Sequence, residues 1–225
     1  MPLAMAAHLA GCSPEDIASL AASKFRCVSL DKVKKKDMRG REPDARLLSL
    51  TQKAKLGEVD AFISHSWDDE PESKWKSLRA WRNDFKRKTG REPLVWIDKY
   101  CVDQKDIHSA LSLLPVYITG CQEHVVLYGR TYLNRLWCVV ELAVFARTLE
   151  IRRQSFKVLA SDISKVDICR GVESFDCRGA KCWNVHDTSR LLRGLEAHMG
   201  GLEAVNQSVR RMLLCDESFC SVSGA

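Results

Sequence analysis

The stretch Leu133-Asn134-Arg135-Leu136-Trp137-Cys138-Val139-Val140-Glu141-Leu142 holds one acid in otherwise apolar company. Asn134 carries the kind of side-chain oxygen that caps a helix start. Leu136, Val140, Ala143 and Val144 then recur at helical spacing as one buried face. Trp137 and Glu141 are four apart and share a neighbouring face. A single carboxylate thus falls in the first two turns of a helix, beside a large aromatic ring. Such an acid either complements the positive end of the helix dipole or is held there to act on a developing positive charge. The stretch alone favours the dipole. Three further polar clusters bear on the choice: Ser64 to Asp69, Tyr100 to Gln104, and Gly129 to Tyr132.

Each cluster follows a short apolar run. Val59 to Ser64 reads as a central strand, Leu94 to Asp98 as a second, His124 to Tyr128 as a third and Phe156 to Ala160 as a fourth. Between the first two, Pro71 opens a helix whose buried face is Trp75, Leu78, Trp81 and Phe85, with Lys86, Arg87 and Lys88 in its last turn and Gly90 as its stop. Ile107, Ala110, Leu111 and Leu114 make another helical face, bent or ended by Pro115. Alternating strands and helices predict an α/β fold with a mostly parallel sheet covered on both faces. Ligands of such sheets sit outside the carboxyl ends of the strands, where the three clusters fall.

The flanks read differently. Ser13 and Pro14 start a short helix, and Phe25 to Leu30 suits a short strand. Lys32 to Arg41 is basic without interleaved aromatics, which predicts a solvated loop rather than a nucleic-acid surface. Leu47 to Leu56 has a helical pattern ending at Gly57. After the fourth strand, residues 161–186 are irregular. Two helices follow, one capped by Asp187 and broken at Gly200-Gly201, the other carrying Leu202, Val205, Val209, Met212 and Leu213; a small polar tail comes after Cys215.

The chain has 225 residues, 45% of them hydrophobic, and a net charge of +6. That is enough chain for a sizeable core, and the charge is too mild to imply a nucleic-acid partner. Ten scattered cysteines without CxxC spacing suit a reducing, cytoplasmic compartment. Cys177, Cys182 and His186 resemble half a zinc site, with Cys169 near but no second pair, so they are read as ordinary thiols. Asp68, Asp69, Asp98 and Asp103 are read as helix caps, and no metal or bound cofactor is expected. The N-terminal apolar run lacks the charged start of a secretory signal, and no run reaches the ~18 apolar residues of a membrane span.

Two other chemistries are weighed. A phosphoacceptor receiver would use Asp68 and Asp69, but the third strand ends Leu127-Tyr128-Gly129 where an aspartate is needed. A hydrolase would use Ser64, Cys101 or Cys138 with His65, but no Gly-x-Ser-x-Gly elbow is present.

Asp60-Ala61-Phe62-Ile63-Ser64 resembles the first signature of Toll/interleukin-1 receptor (TIR) domains, and Trp96-Ile97-Asp98 their second strand. Tyr132 with Arg135-Leu136-Trp137-Cys138-Val139-Val140-Glu141-Leu142 resembles the Trp-Cys-x-x-Glu-Leu stretch of plant-type members. Trp96-Ile97-Asp98 with Cys101-Val102-Asp103-Gln104 also resembles the fungal heterokaryon-incompatibility domain, a relative. The resemblance covers roughly residues 58–160. It leaves 1–57 as an N-terminal helical and basic segment, and 161–225 as a C-terminal extension packed on the same domain. It departs in the loop after the second strand, where Cys101 to Gln104 replaces the usual Arg-Asp and Pro-Gly residues.

The resemblance implies a flavodoxin-like sheet, self-association and, in many members, cleavage of NAD+ by a glutamate. That glutamate corresponds here to Glu141. Nicotinamide leaves as a neutral molecule, so no second carboxyl group is needed to protonate it, unlike in most glycosidases. The remaining task is to stabilise positive charge on the ribose. Ser64, Trp67, Tyr100 and Tyr132 are the residues expected to line the substrate cleft, with Trp137 either joining them or packing in the core, and with NAD+ as substrate rather than cofactor. The alternative is a TIR-like adaptor without catalysis, acting by self-association or by binding other TIR-like domains, in which Glu141 only favours the helix start.

Overall fold

Val59–His65 is buried at every position, as a strand covered on both faces must be. It sits inside a six-stranded sheet of order β2-β1-β4-β3-β5-β6. The strands are β1 (Arg26–Ser29), β2 (Gln52–Lys53), β3 (Val59–His65), β4 (Leu94–Trp96), β5 (Cys121–Tyr128) and β6 (Ser155–Ala160). β3 pairs in parallel with β4 and β5, and β5 with β6. β1 is antiparallel to both β4 and β2. The computed structural model describes residues 2–39, 44–103, 106–152 and 155–214. Gly40, Arg41, Pro43, Gln104 and the tail from Cys215 lie outside the described residues.

Eleven helices are found among the described residues: α1 (Pro2–Ala10), α2 (Pro14–Lys24), α3 (Ala45–Leu48), α4 (Pro71–Thr89), α5 (Asp98–Cys101), α6 (Ile107–Ser112), α7 (Leu114–Thr119), α8 (Leu136–Arg152), α9 (Lys165–Glu173), α10 (Val185–Met199) and α11 (Leu202–Leu214). α4 starts at Pro71, which needs no partner for its missing N–H there, and stops at Gly90, whose φ of +75° is the left-handed cap conformation. α4 and α8 cover opposite faces. Trp81 of α4 donates to Glu123 at 2.9 Å, whereas Phe145 of α8 stacks on His124 at 4.6 Å between ring centroids, and successive strand residues point to opposite sides.

The α8 face carries a row of aromatic rings in strand register. Phe62 pairs with Trp96 on one side and His124 on the other, and His124 pairs with Phe156. Ring centroids are 4.6 Å apart for Phe62–Trp96, 5.2 Å for Phe62–His124 and 6.1 Å for His124–Phe156. α8 has apolar residues all round. One side meets the sheet, and α7, α10 and α11 pack against the rest. α1 packs on α2, α7 and α10, so a single apolar cluster runs from Met5 to Leu213. No helix among the described residues is long and apolar enough to cross a membrane.

Three local expectations are corrected. The helical pattern over 47–56 yields only the four-residue α3, because Arg26 bonds both the hydroxyl (2.6 Å) and the carbonyl (3.1 Å) of Thr51, and Gln52–Lys53 pairs with β1. Pro115 opens α7 rather than bending a longer helix. The opening of α8 is not capped by Asn134. The carbonyl of Asn134 and the N–H of Leu136 instead bracket Lys181 in a short bridge, at 2.9 and 3.0 Å, and the helix begins at Leu136. Sequence pattern carries no trace of that pairing, which joins residues more than forty positions apart. β4 ends the parallel set on one side, and β1 and β2 extend the sheet beyond it.

Candidate functional site

Ser64 follows Phe62 by two residues and therefore faces α8. Glu141 precedes Phe145 by four, one helical turn. Two strand residues and one helical turn rise by nearly the same ~6 Å, so Ser64 and Glu141 form the next layer above the aromatic row, toward the carboxyl ends of the strands. There the Ser64 hydroxyl donates to Glu141 Oε2 and also bonds the hydroxyl of Tyr132. Tyr132 arrives from the loop after β5, in a 3-10 turn over Tyr132–Asn134. Its ring tilts against Tyr128 at 5.2 Å. Ser64 of β3 thus links the carboxyl group of Glu141 on α8 to the Tyr132 hydroxyl from the loop after β5.

That carboxyl group is buried; Glu141 is 7% exposed. Burial pushes its pKa well above the ordinary carboxyl range, against the Ser64 bond that favours the charged form, and the charge of Asp98 pushes the same way as burial. The Tyr132 hydroxyl is raised too, by burial first, then by Cys138 and Glu141. Burial thus favours the protonated form of the group. A cation arriving beside it would favour ionisation.

The remaining sequence candidates sit elsewhere. Trp67 is half-buried; its Nε1 donates to Asp98 Oδ2 at 2.7 Å and the Lys99 ammonium lies 5.5 Å from its ring centroid. Asp98 also accepts from the Lys99 backbone at 2.6 Å and lies 3.9 Å from His65 Nε2. Trp67 therefore belongs to a second cluster on the opposite side of β3, linked to Glu141 through the field of Asp98. Trp137 is half-buried and packs against the apolar core. Tyr100 is 1% exposed, and its hydroxyl donates to Asp37 and accepts from the Lys34 N–H at 3.2 Å. It pins the 3-10 turn Lys35–Met38 rather than meeting Glu141. Asp98 is the residue that sequence reading assigned only a capping role; its link to Trp67, His65 and Glu141 depends on how loops pack, which no local spacing encodes.

The nucleophile pairs weighed from sequence do not assemble. Ser64 and His65 are adjacent in β3 and point to opposite faces. Burial depresses His65 to about 4, and its backbone carbonyl, not its ring, accepts from Cys138 at 3.6 Å. Burial keeps the Cys101 and Cys138 thiols protonated. Among the described residues no group of three or more His, Cys, Asp or Glu side chains could hold a metal ion.

No protein-family model matches the sequence, and no curated protein matches it either.

Proposed function

We propose that the chain is a TIR-like domain that cleaves NAD+ at its nicotinamide–ribose bond, with Glu141 as the catalytic carboxylate. The observation that carries this reading is the buried hydrogen-bond chain from Tyr132 through Ser64 to Glu141 at the carboxyl ends of the strands. Numbered along the chain, the parallel strands run 2-1-3-4 across the sheet, the start of the flavodoxin-like order, whose ligands bind at that end. The nicotinamide riboside end of NAD+ is cationic, and its positive charge would draw the proton off Glu141. As the bond breaks, nicotinamide departs with the bonding pair as a neutral molecule and the positive charge passes to the ribose. The fixed carboxylate stabilises it there, and water completes the hydrolysis. Ser64 orients the carboxylate, and Tyr132 orients Ser64.

The activity is proposed to depend on self-association, in the cytoplasm. The eight described cysteines are all free thiols, which suits a reducing compartment.

One observation favours a second reading, a TIR-like adaptor without catalysis. Glu141 is nearly sealed, and Ser64 already occupies one of its oxygens. The deciding experiment is nicotinamide release from NAD+ by purified protein across a concentration series. The glycohydrolase reading expects turnover that rises faster than protein concentration. No release at any concentration leaves the adaptor.

A further inference from the structure

A second pair of carboxyl groups lies on the loops after β3 and β6. Asp69 is 2% exposed. Its Oδ1 accepts from both the backbone N–H of Thr131 at 2.7 Å and the Thr131 hydroxyl at 2.8 Å, so the group cannot swing away. Its Oδ2 is buried with no hydrogen-bond partner, and so is Oδ1 of Asp162. A Cβ built on Gly129 would overlap Asp69 Oδ2 and stand 2.7 Å from Asp162 Oδ1. Both orphan oxygens are therefore within 2.7 Å of one point, and Gly129 is the residue that lets them approach. Ser161, beside Asp162, buries a third oxygen without a partner. Two buried carboxyl oxygens without partners this near one another are costly, and although the charge of Lys74 favours ionised Asp69, neither cation nearby bonds these two oxygens. Lys74, fully buried, is committed to the Ser66 carbonyl at 2.7 Å. Arg130 reaches only the other oxygen of Asp162, at 3.9 Å.

We propose that Asp69 and Asp162 bind a hard divalent cation across Gly129, of the class of Ca2+, Mg2+ or Mn2+. Two oxygens each within 2.7 Å of one point are near enough to share an ion whose bonds to oxygen are about 2.0–2.6 Å, and such ions are commonly held by one or two carboxylates with water filling the rest of the shell. All donors are oxygen, which selects against zinc and copper. The site does not use Glu141, and it stands whether or not the chain cleaves NAD+. It would clamp the loops after β3, β5 and β6 together, since Thr131, held by Asp69, directly precedes Tyr132.

The test is thermal unfolding of the chelator-treated protein with CaCl2, MgCl2 or MnCl2, together with counting of bound Mn2+ by electron paramagnetic resonance. One Mn2+ per chain is expected, with a rise in Tm of about 5–10 °C at a cation concentration a hundredfold above Kd. Asp162→Asn keeps the shape and removes a charge, and should abolish both responses. Absence of binding by all three ions at millimolar concentration overturns the proposal. Binding that survives Asp162→Asn also overturns it, since the ion then sits elsewhere. So does an Asp162→Asn protein that is more stable than wild type while neither binds Mn2+, because the two acids then share a proton instead.

Discussion

Two adjacent layers on one face of the sheet bury a titratable group against the same helix, and they handle it in opposite ways. In the lower layer His124 lies between Phe62 and Phe145, with neither ring nitrogen hydrogen-bonded. In the upper layer Glu141 meets the hydroxyl of Ser64, which is itself held by Tyr132. Burial is the main cause that drives both groups toward their neutral forms, His124 down to about 3 and Glu141 well up. A perturbed pKa therefore does not by itself mark a working group. What separates the layers is the oriented polar neighbours and the position at the strand ends, where a ligand can arrive.

The largest expected effect is on Glu141. If the upper layer does the chemistry, Glu141→Gln should lower NAD+ turnover by about 10²–10³-fold, the cost of removing one preorganised electrostatic group. The same substitution should stabilise the fold as pH rises. A carboxyl group whose pKa is raised on folding holds its proton in the native state while the unfolded chain loses it. The wild type therefore loses stability as pH climbs above about 4.5 toward the folded pKa, and Gln escapes that loss. Nicotinamide release and thermal unfolding from pH 5 to 8 check both. Equal turnover by wild type and a folded Glu141→Gln protein would sink the glycohydrolase mechanism.

The lower layer should respond to pH with the reverse sign. His124 must stay neutral in the native state but protonates when unfolded below about pH 6.5, so stability is lost as pH falls from there toward 3. His65, lowered to about 4, adds to that slope. His124→Phe keeps a ring in the row and removes two orphan polar atoms. It should stabilise the protein by about 1–2 kcal/mol at pH 7 and by roughly 2–3 kcal/mol more at pH 4.5, with turnover unchanged. Denaturant titrations at the two pH values give the difference. A destabilised variant would mean that His124 has a role the ring row does not explain.

The parallel strands were legible in the sequence because each is a short apolar run between turn residues, and β3 matches expectation almost residue for residue. Ser64 was readable for the same reason, since a polar residue ending a buried strand stands out. The partners were less so. Tyr100 and Tyr132 look equivalent from sequence, each in a loop after a strand, yet they go to different places, because Tyr100 is captured by Asp37, sixty-three residues away. Asp162 had no local signal at all. It matters only because β6 pairs with β5 and brings it beside Gly129 and Asp69. Residues marked by periodicity were found; those marked by packing of distant loops were not.

Ser64 allows a smaller perturbation of the upper layer. Its hydroxyl favours the charged form of Glu141, so Ser64→Ala should push that pKa higher still. Turnover at pH 7 should drop by about tenfold, the worth of a hydrogen bond to a charged group. The pH–rate curve should rise at a higher pH than in the wild type and recover part of the loss in alkaline buffer. A uniform drop at all pH values would mean that Ser64 only packs the layer.

The two tyrosines make the finest comparison, because Tyr→Phe removes one oxygen from each and leaves both rings in place. At Tyr132 the lost hydroxyl is the one that orients Ser64, so Tyr132→Phe should lower turnover several-fold with little change in KM. At Tyr100 the hydroxyl serves Asp37 and the Lys34 N–H. Its loss should destabilise the fold by about 1 kcal/mol, a Tm decrease of about 2–4 °C, and leave turnover as it was. The pair is informative because both rings are almost wholly buried, so burial predicts equal outcomes and hydrogen-bond partnership predicts different ones. Matching losses of turnover in the two variants would mean that the turn at Lys35–Met38 helps to shape the site. Tyr100 would then regain the substrate-lining role that its place after the second strand suggested.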